Sequence, residues 1–329
     1  MLAPRSLLTL LALSGVAACS GSSIHVQAGP APGAAPPPGA SARPAPSGAS
    51  AAASAGPASP EAACGGEGAV DVLAHAVDLT VGLAPPALRG EGEVRVRTRR
   101  ATDRVRLDAR ALRVTAVTVA GAPARFEGDG GHLCVWLPAP AATGYETTLH
   151  VTWTASVDGD TPRFSGDQAW AGYQAAAWMP TLQDPAQRAT LTLRLTAPTG
   201  LMVAASGRRA AVSPAPAGLT TTTFVVDRPS PPFLFAFAAG RLDEAQRSVD
   251  GVTLRALGPA GADLAGALAL TAPMLAFLRD RTGVPYPATD YTQVFVRGEA
   301  AQEAAGMALI SASALDDVRR DPTEDWVFA

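Results

Sequence analysis

Between Val70 and about Gly240, apolar and polar residues alternate with a period of two. Val77-Asp78-Leu79-Thr80-Val81, Glu93-Val94-Arg95-Val96-Arg97 and Thr190-Leu191-Thr192-Leu193-Arg194-Leu195 each send every second side chain to one face. That is the pattern of half-buried strands. The stretches from Tyr145 to Trp153 and from Thr220 to Val226 are strand-like as well, rich in Thr, Val and aromatic residues. Gly, Pro and Asp clusters punctuate the runs, as at Gly128-Asp129-Gly130-Gly131 and Pro214-Ala215-Pro216. The prediction is an all-β, antiparallel domain, either a saddle or a sandwich. Periodicity alone does not choose between the two.

After Gly240 the rhythm changes. Val252 to Leu257 reads as a strand, and Ala262 to Thr282 as a helix with Leu264, Leu268, Leu275 and Leu278 on one face. Gly283 is placed to end that helix, and Val284-Pro285-Tyr286-Pro287 forms a rigid turn. Thr292 to Val296 and Met307 to Ser311 suggest two more strands, so a second domain of α+β type begins here. Asp321-Pro322-Thr323-Glu324 has the features of a helix start: Asp at the cap, Pro at the first position, Glu three after the cap. Trp326, Val327, Phe328 and Ala329 would continue that helix. The expectation is a helix interrupted in mid-run, the alternative a short terminal helix docked by Trp326 and Phe328.

Composition narrows the function. The chain has 329 residues, 47% of them hydrophobic, enough for two domains with cores. A net charge of −3 and the lack of a basic run argue against nucleic acid as a partner. Beyond the first twenty residues no segment is apolar for long enough to span a bilayer. Residues 1–19 read as a processing signal, with Arg5 as the positive region and Leu7-Leu8-Thr9-Leu10-Leu11-Ala12-Leu13 as the apolar one. Val16-Ala17-Ala18-Cys19 resembles a bacterial lipobox, in which Cys19 is acylated; an ordinary signal peptide with an incidental Cys is the alternative. Ser20 after that Cys resembles the signal that sorts lipoproteins to the outer membrane. Residues 28–63 are nearly all Ala, Pro, Gly and Ser, with Arg43 and Glu61 the only charges. Such a segment offers too little apolar surface to offset its ordering entropy, and fully extended it would reach on the order of 110 Å. It reads as a disordered tether.

With Cys19 assigned to lipid, Cys64 and Cys134 remain. In an oxidising compartment they can pair as a disulfide or persist as two thiols. The histidines are His25, His75, His132 and His150, and none has a His partner four residues on. The helical zinc motif HExxH needs that spacing, so no metal site can be assembled from this chain. Asp316-Asp317 and Glu324-Asp325 read as turn and helix-cap carboxylates. No Ser/His/Asp arrangement or phosphate-cradling Gly loop is present.

The stretch Ala300-Ala301-Gln302-Glu303-Ala304-Ala305-Gly306-Met307 resembles the substrate-amine motif of the aminopeptidase N family, written GAMEN-x-G-L. Other segments follow that family in order. Trp178-Met179-Pro180-Thr181-Leu182-Gln183-Asp184-Pro185 is similar to F-P-C-x-D-E/D-P, and Arg188-Ala189-Thr190-Leu191 to K-A-T-F. Ala205-Ser206-Gly207 comes next. Pro232-Phe233-Leu234-Phe235-Ala236-Phe237-Ala238-Ala239-Gly240 is similar to Y-L-x-A-F-x-x-G. Gly283-Val284-Pro285-Tyr286-Pro287 with Tyr291 is similar to G-x-P-Y-P…Y-D. The resemblance covers roughly residues 70–329.

The resemblance to these zinc metalloaminopeptidases (gluzincins, leukotriene hydrolase-like) implies a β-saddle domain followed by a thermolysin-like catalytic domain. It implies hydrolysis of the first bond of peptides with a free N-terminus, and zinc as cofactor. Glu303 falls on the amine-binding Glu, while Ala300 and Ala301 fall on the pair that lies along the substrate backbone. Ala300 stands for Gly, Gln302 for Met and Ala304 for Asn. Gln168 and Gln174 both lie near the place from which the family's β domain contributes a Gln, and the spacing does not choose between them. The family's zinc helix follows this motif, yet no residue from Ala304 to Ala329 is His.

The expected organisation is therefore a lipoprotein signal peptide at 1–19, a tether at 20–66, a β domain at 67–243 and the start of a catalytic domain at 244–329, cut before its zinc helix. The expected function is the N-terminal portion of a lipid-anchored zinc aminopeptidase of the bacterial cell envelope, inactive as it stands because it lacks zinc ligands and general base. The alternative is a non-catalytic surface lipoprotein that binds peptides or a protein partner through the β domain.

Overall fold

Period-two segments can bury one face only by pairing into sheets, and the computed structural model, which describes residues 64–321 and residue 323, arranges them as four sheets. Cys19, the tether before residue 64 and the continuation of the helix expected at Asp321 lie outside the described residues. The largest sheet has eight strands. In spatial order they are Arg208–Ala215, Leu219–Ser230, Ala189–Pro198, Val70–Leu83, Pro86–Thr98, Glu146–Ala155, Leu112–Val119 and Ala122–Pro123. Neighbours run antiparallel with one exception: Val70–Leu83 pairs parallel with Ala189–Pro198, with Val77 opposite Leu193.

A three-stranded sheet (Thr102–Asp108, His132–Ala141, Phe126–Gly128) and a four-stranded one (Met202–Ala205, Phe237–Gly240, Gln168–Ala171, Arg163–Ser165) complete the β domain. All three sheets feed one core. Leu79, Val94 and Leu193 enter it from the large sheet, Leu107 and Val135 from the three-stranded sheet, and Ala171 and Phe237 from the four-stranded one. Each such side chain, taken from water, contributes about 1.5–3 kcal/mol where it is a full-sized hydrophobe. Trp153 and Trp178 are fully buried among them, and Trp153 Nε1 donates to the Trp178 carbonyl at 2.9 Å. Gly90 makes room: a side chain there would overlap the Trp153 ring. The all-β expectation holds, in a layered form.

The remaining sheet has the order Asp243–Val249, Val252–Gly258, Asp290–Val296, Met307–Ser311, Ala301–Ala304. Its three central strands are parallel. The helix α1 (Leu264–Thr282) makes the crossover between the first two of them, as parallel pairing requires. Asp263 caps α1 by accepting from Gly266 N at 2.9 Å, and Gly283, at φ 70°, ends it. The anticipated leucine face is only partly right. Leu264 and Leu268 are buried, with Ala267, Thr271 and Ala272; Leu275 packs against the same core only in part, and Leu278 is 47% exposed.

Asp316 and Asp317 belong to a helix, α2 (Ser313–Arg320), rather than to a turn or cap. They form ion pairs one turn on, Asp316 with Arg319 at 3.2 Å and Asp317 with Arg320. Asp321 closes α2, and its Oδ1 accepts from Thr323 N at 3.0 Å and Thr323 Oγ1 at 2.7 Å. Cys64 and Cys134 are joined as a disulfide, which ties the chain ahead of the first strand to the strand His132–Ala141.

His75 is 2% exposed, in the middle of Val70–Leu83. Its Nε2 lies 3.1 Å from Thr181 Oγ1, its Nδ1 has no partner, and burial lowers its pKa from 6.5 to about 4. The unfolded chain therefore takes up a proton between about pH 6.5 and pH 4 that the folded chain refuses. This contribution to stability is complete above pH 6.5 and is lost as pH falls toward 4, by on the order of 3 kcal/mol. Denaturant titrations at pH 7 and pH 4.5 should show a smaller acid loss for His75→Gln than for the wild type. Equal losses would contradict the assignment.

Candidate functional site

The strand Ala301–Ala304 lies at the edge of the mixed sheet. It pairs antiparallel with Met307–Ser311, Ala301 opposite Ile310 and Glu303 opposite Ala308, and no described strand pairs with its other side. Ala305 and Gly306 make the turn between them, Gly306 at φ 77°. Ala300 stands just before the strand, its N–H donating to Ser311 Oγ at 2.8 Å and its carbonyl accepting from Ser311 N at 2.7 Å. Along the strand the pleat alternates. Ala301 and Glu303 are exposed, while Gln302 and Ala304 are half-buried.

Glu303 is in register with Ala308, which in turn faces the fully buried Gln293. Its carboxylate is close enough to Tyr291 to matter: burial pushes that phenol up, and the charge of Glu303 adds to the shift. Among the described residues Glu303 has no ion-pair partner. An exposed, unpaired carboxylate on an open strand edge can accept an ammonium, and a charge-assisted hydrogen bond of that kind is about twice as strong as a neutral one.

The far end of the edge strand is fastened to the β domain. Gly207 N donates to the Ala305 carbonyl at 2.6 Å, and Ala305 N donates to the Leu234 carbonyl at 2.8 Å. Ser206 braces the same spot: its Oγ donates to the Leu234 carbonyl at 2.9 Å and accepts from Ala236 N at 2.9 Å. Gly207 has φ 87°, and a side chain there would overlap the Val225 carbonyl. The Ala205-Ser206-Gly207 and Pro232-to-Gly240 segments thus have a physical role that the sequence pattern did not disclose. Beside this docking point lies a cleft of about 510 Å³, lined by Leu234, Tyr286, Asp290 and Gly306 among others. Tyr286 in its wall is pushed up to about 12, first by burial and then by Tyr291 and Asp290.

The near end of the strand meets the turn Gly172-Tyr173-Gln174. A Cβ at Gly172 would lie 2.6 Å from Gln302 Oε1, so the amide of Gln302 packs directly on the glycine. Gln174 N donates to the Gly172 carbonyl at 2.6 Å, closing the turn around Tyr173 at φ 60°. Gln183 clamps it, donating to the Tyr173 carbonyl at 2.6 Å and accepting from Ala176 N at 3.1 Å. The two candidate glutamines separate here. Gln174 belongs to this turn and accepts from Arg110 at 2.8 Å, whereas Gln168 is buried at the other end of its strand and accepts from Arg297 N at 2.9 Å. The clamping role of Gln183 was missed, since only the folded turn brings its amide to Tyr173.

Among the described residues no group of three His, Cys, Asp or Glu is placed to hold a metal ion. His75 is committed to Thr181 in the core. His132 sits between Asp129 Oδ2 at 3.3 Å and Arg106 at 2.8 Å, and His150 lines a small hollow on the large sheet. This donor set does not fit a zinc site.

The fold is similar to solved structures of M1 zinc metallopeptidases. One, an M1 zinc metallopeptidase from Deinococcus radiodurans, matches with a TM-score of 0.65 and 27% identity over 75% of this chain and 61% of its own. A mutant from the same organism matches with a TM-score of 0.65 and 26% identity over 76% of this chain and 63% of its own. A mutant bound to a Tyr-Ser-Ala substrate matches with a TM-score of 0.65 and 25% identity over 76% and 63%. The chain thus spans less than two thirds of the length of these neighbours. No family model matches it, and no curated protein does.

The docking of Ala305 rests on Gly207, and Gly200 offers a control. Gly200 has φ 94° but open space around it. Gly200→Ala should cost only the left-handed strain, about 1 kcal/mol. Gly207→Ala adds a backbone overlap and should cost about 2 kcal/mol or more in urea denaturation. Equal losses at the two positions would show that the contact with Val225 is easily relieved.

Proposed function

We propose that this chain corresponds to the N-terminal part of an M1 zinc metallopeptidase of the aminopeptidase N family and that it binds peptides by their free amine. Glu303 receives the ammonium, and the open edge at Ala300 and Ala301 receives the peptide backbone as an added strand. The observation that carries this reading is a carboxylate without a cation partner on a strand held at its ends and open along one side. Structures of the neighbours are described with Tyr-Ser-Ala, L-arginine and L-tryptophan bound. Those molecules have different side chains and share an α-amine, which supports an amine anchor as the common element.

The reaction in which such an anchor takes part is removal of the first residue of a peptide. An internal peptide bond has no ammonium to offer, so anchoring the amine restricts action to the chain end. The zinc implied by the family finds no ligands among the described residues, and no step of its chemistry is assigned to them. The chain by itself is therefore expected to bind without hydrolysing. Acylation at Cys19 would hold it at the membrane, facing the periplasm or the surface, with the Ala/Pro/Gly/Ser tether setting its reach; one acyl chain binds only marginally, whereas several anchor stably.

Three measurements test these statements. Titration with a free tripeptide should show binding that Glu303→Gln weakens at least about tenfold, or about 1.4 kcal/mol, and that N-acetylation of the peptide also removes. Zinc-supplemented chain should leave an aminoacyl-arylamide intact; chelator-sensitive turnover would reveal a metal site in it. Separately, Cys19→Ser should move the expressed protein from the membrane fraction to the soluble one, and an unchanged distribution would remove the lipid anchor from the account.

A further inference from the structure

The cleft of about 510 Å³ at the tip of the edge strand has no part in the reading above. Ala305 and Gly306 line it, so along the strand Glu303 lies between this cleft and the edge at Ala300 and Ala301. The β domain contributes Arg208, which starts the outermost strand of the large sheet, and Arg228, near the end of the next strand. Leu234, Pro287 and Ala305 add apolar surface. A concave site of this size, with a few polar groups among apolar ones, is the usual form of a small-molecule pocket.

The charges around it do not cancel. A smaller recess shares Gly207 and Asp290 with the cleft, and there Arg255 is paired with Glu244 at 3.0 Å. That leaves Arg208, Arg209 and Arg228 against Asp227 and Asp290, and among the described residues none of these three arginines has an ion-pair partner. Asp290 accepts instead from Thr289 Oγ1 at 2.9 Å. Burial, and then Arg255, push the guanidinium of Arg209 below its usual range, against the pull of Glu244 and Asp290. The corner thus holds more positive charge than its own carboxylates offset. Tyr286 adds a hydroxyl with no partner among the described residues, and burial keeps it protonated and able to donate.

We infer that this cleft is a second ligand site, and that it takes an amphiphile with one carboxylate on an apolar body, as a fatty acid or the C-terminal end of a peptide has. A guanidinium holds a carboxylate through two parallel hydrogen bonds, and the phenol can donate a third. The apolar body covers Leu234 and Pro287, which removes their surface from water. Asp227 and Asp290 line the same cleft, so a dianion such as a phosphate monoester meets twice the repulsion of a single charge. A ligand without an amine has nothing to offer Glu303, and the inference stands whether or not Glu303 binds peptides. Ala305 and Leu234, joined by the bond that fastens the tip, both line the cleft, so a bound ligand is read at the Ala305 amide.

The test is an NMR titration of the full chain with octanoate and with N-acetyl-Leu-Phe, each beside its uncharged amide, repeated with Arg208→Gln and Arg228→Gln. Each carboxylate should bind about tenfold tighter than its amide, as expected for a charge-assisted bond to arginine. Binding should shift the amides of Gly207, Ala305 and Gly306. Both arginine side chains are exposed and unpaired, so neither variant should melt below the wild type, yet each should shrink the tenfold ratio toward one. The carboxylate that binds more tightly identifies the source, acyl chain or peptide end. Equal affinity for carboxylate and amide overturns the site, as does a ratio that survives both variants. Failure of both carboxylates to bind, or shifts confined to other parts of the chain, overturns it as well. Octyl phosphate binding tighter than octanoate would make this a phosphate site and overturn its assignment to carboxylates.

Discussion

A strand that offers one edge to a ligand cannot be secured by pairing on both sides, so it has to be held by its ends. That constraint organises the second half of this chain. The turn at Ala305 is fixed by the Gly207 amide and the Leu234 carbonyl, and the strand's start by the two bonds between Ala300 and Ser311. Gly207 accepts the role because its φ of 87° aims its N–H at Ala305 while Val225 leaves no room for a side chain. The β domain is thus more than a neighbour of the mixed sheet: it supplies the fastening that lets Ala301–Ala304 stay open.

An apolar joint makes the fastening rigid. Trp170, Ala236 and Ala238 of the β domain pack against Val294, Val296 and Leu309 of the mixed sheet. Trp170 Nε1 donates to the Arg297 carbonyl at 3.3 Å, and Arg297 pairs with Asp167 at 3.0 Å. Buried side chains of this kind are close-packed and transmit displacement poorly absorbed elsewhere, so a shift of the four-stranded sheet would carry the edge strand with it. The same face carries Gln302, where an amide replaces the methionine of the family pattern. Its Nε2 is buried with no partner, a cost that the packing on Gly172 offsets only in part.

Much of this was legible from local pattern. The strand Met307–Ser311 was predicted to the residue, and Gly283 ends α1 as its position suggested. Alternation located the long strands because each has one buried face. It was blind to partners, so the parallel pairing of Val70–Leu83 with Ala189–Pro198, far apart in sequence, was not foreseen. Helical spacing puts Leu278 on one face with Leu264 and Leu268, but spacing does not say how much of that face is covered. Asp316 and Asp317 read as turn and helix-cap carboxylates; the structure places them inside α2, where they pair with Arg319 and Arg320 one turn on. The site was reached by resemblance, through Glu303. The residues that position it, Gly207, Gln183 and Tyr173, owe their roles to backbone angles and distant carbonyls that no local pattern encodes.

The central claim is that the β domain holds the tip of an open strand, and amide hydrogen exchange tests it most directly. The Ala305 and Gly207 amides sit at a surface turn, where exchange is ordinarily fast, yet both donate to carbonyls across the domain junction. The account predicts that both exchange as slowly as core amides such as that of Leu193, opening only with the whole fold. Exchange at the rate of a free loop, with Leu193 still protected, would mean that the tip is not held, and the account of an open strand secured by its ends would be wrong.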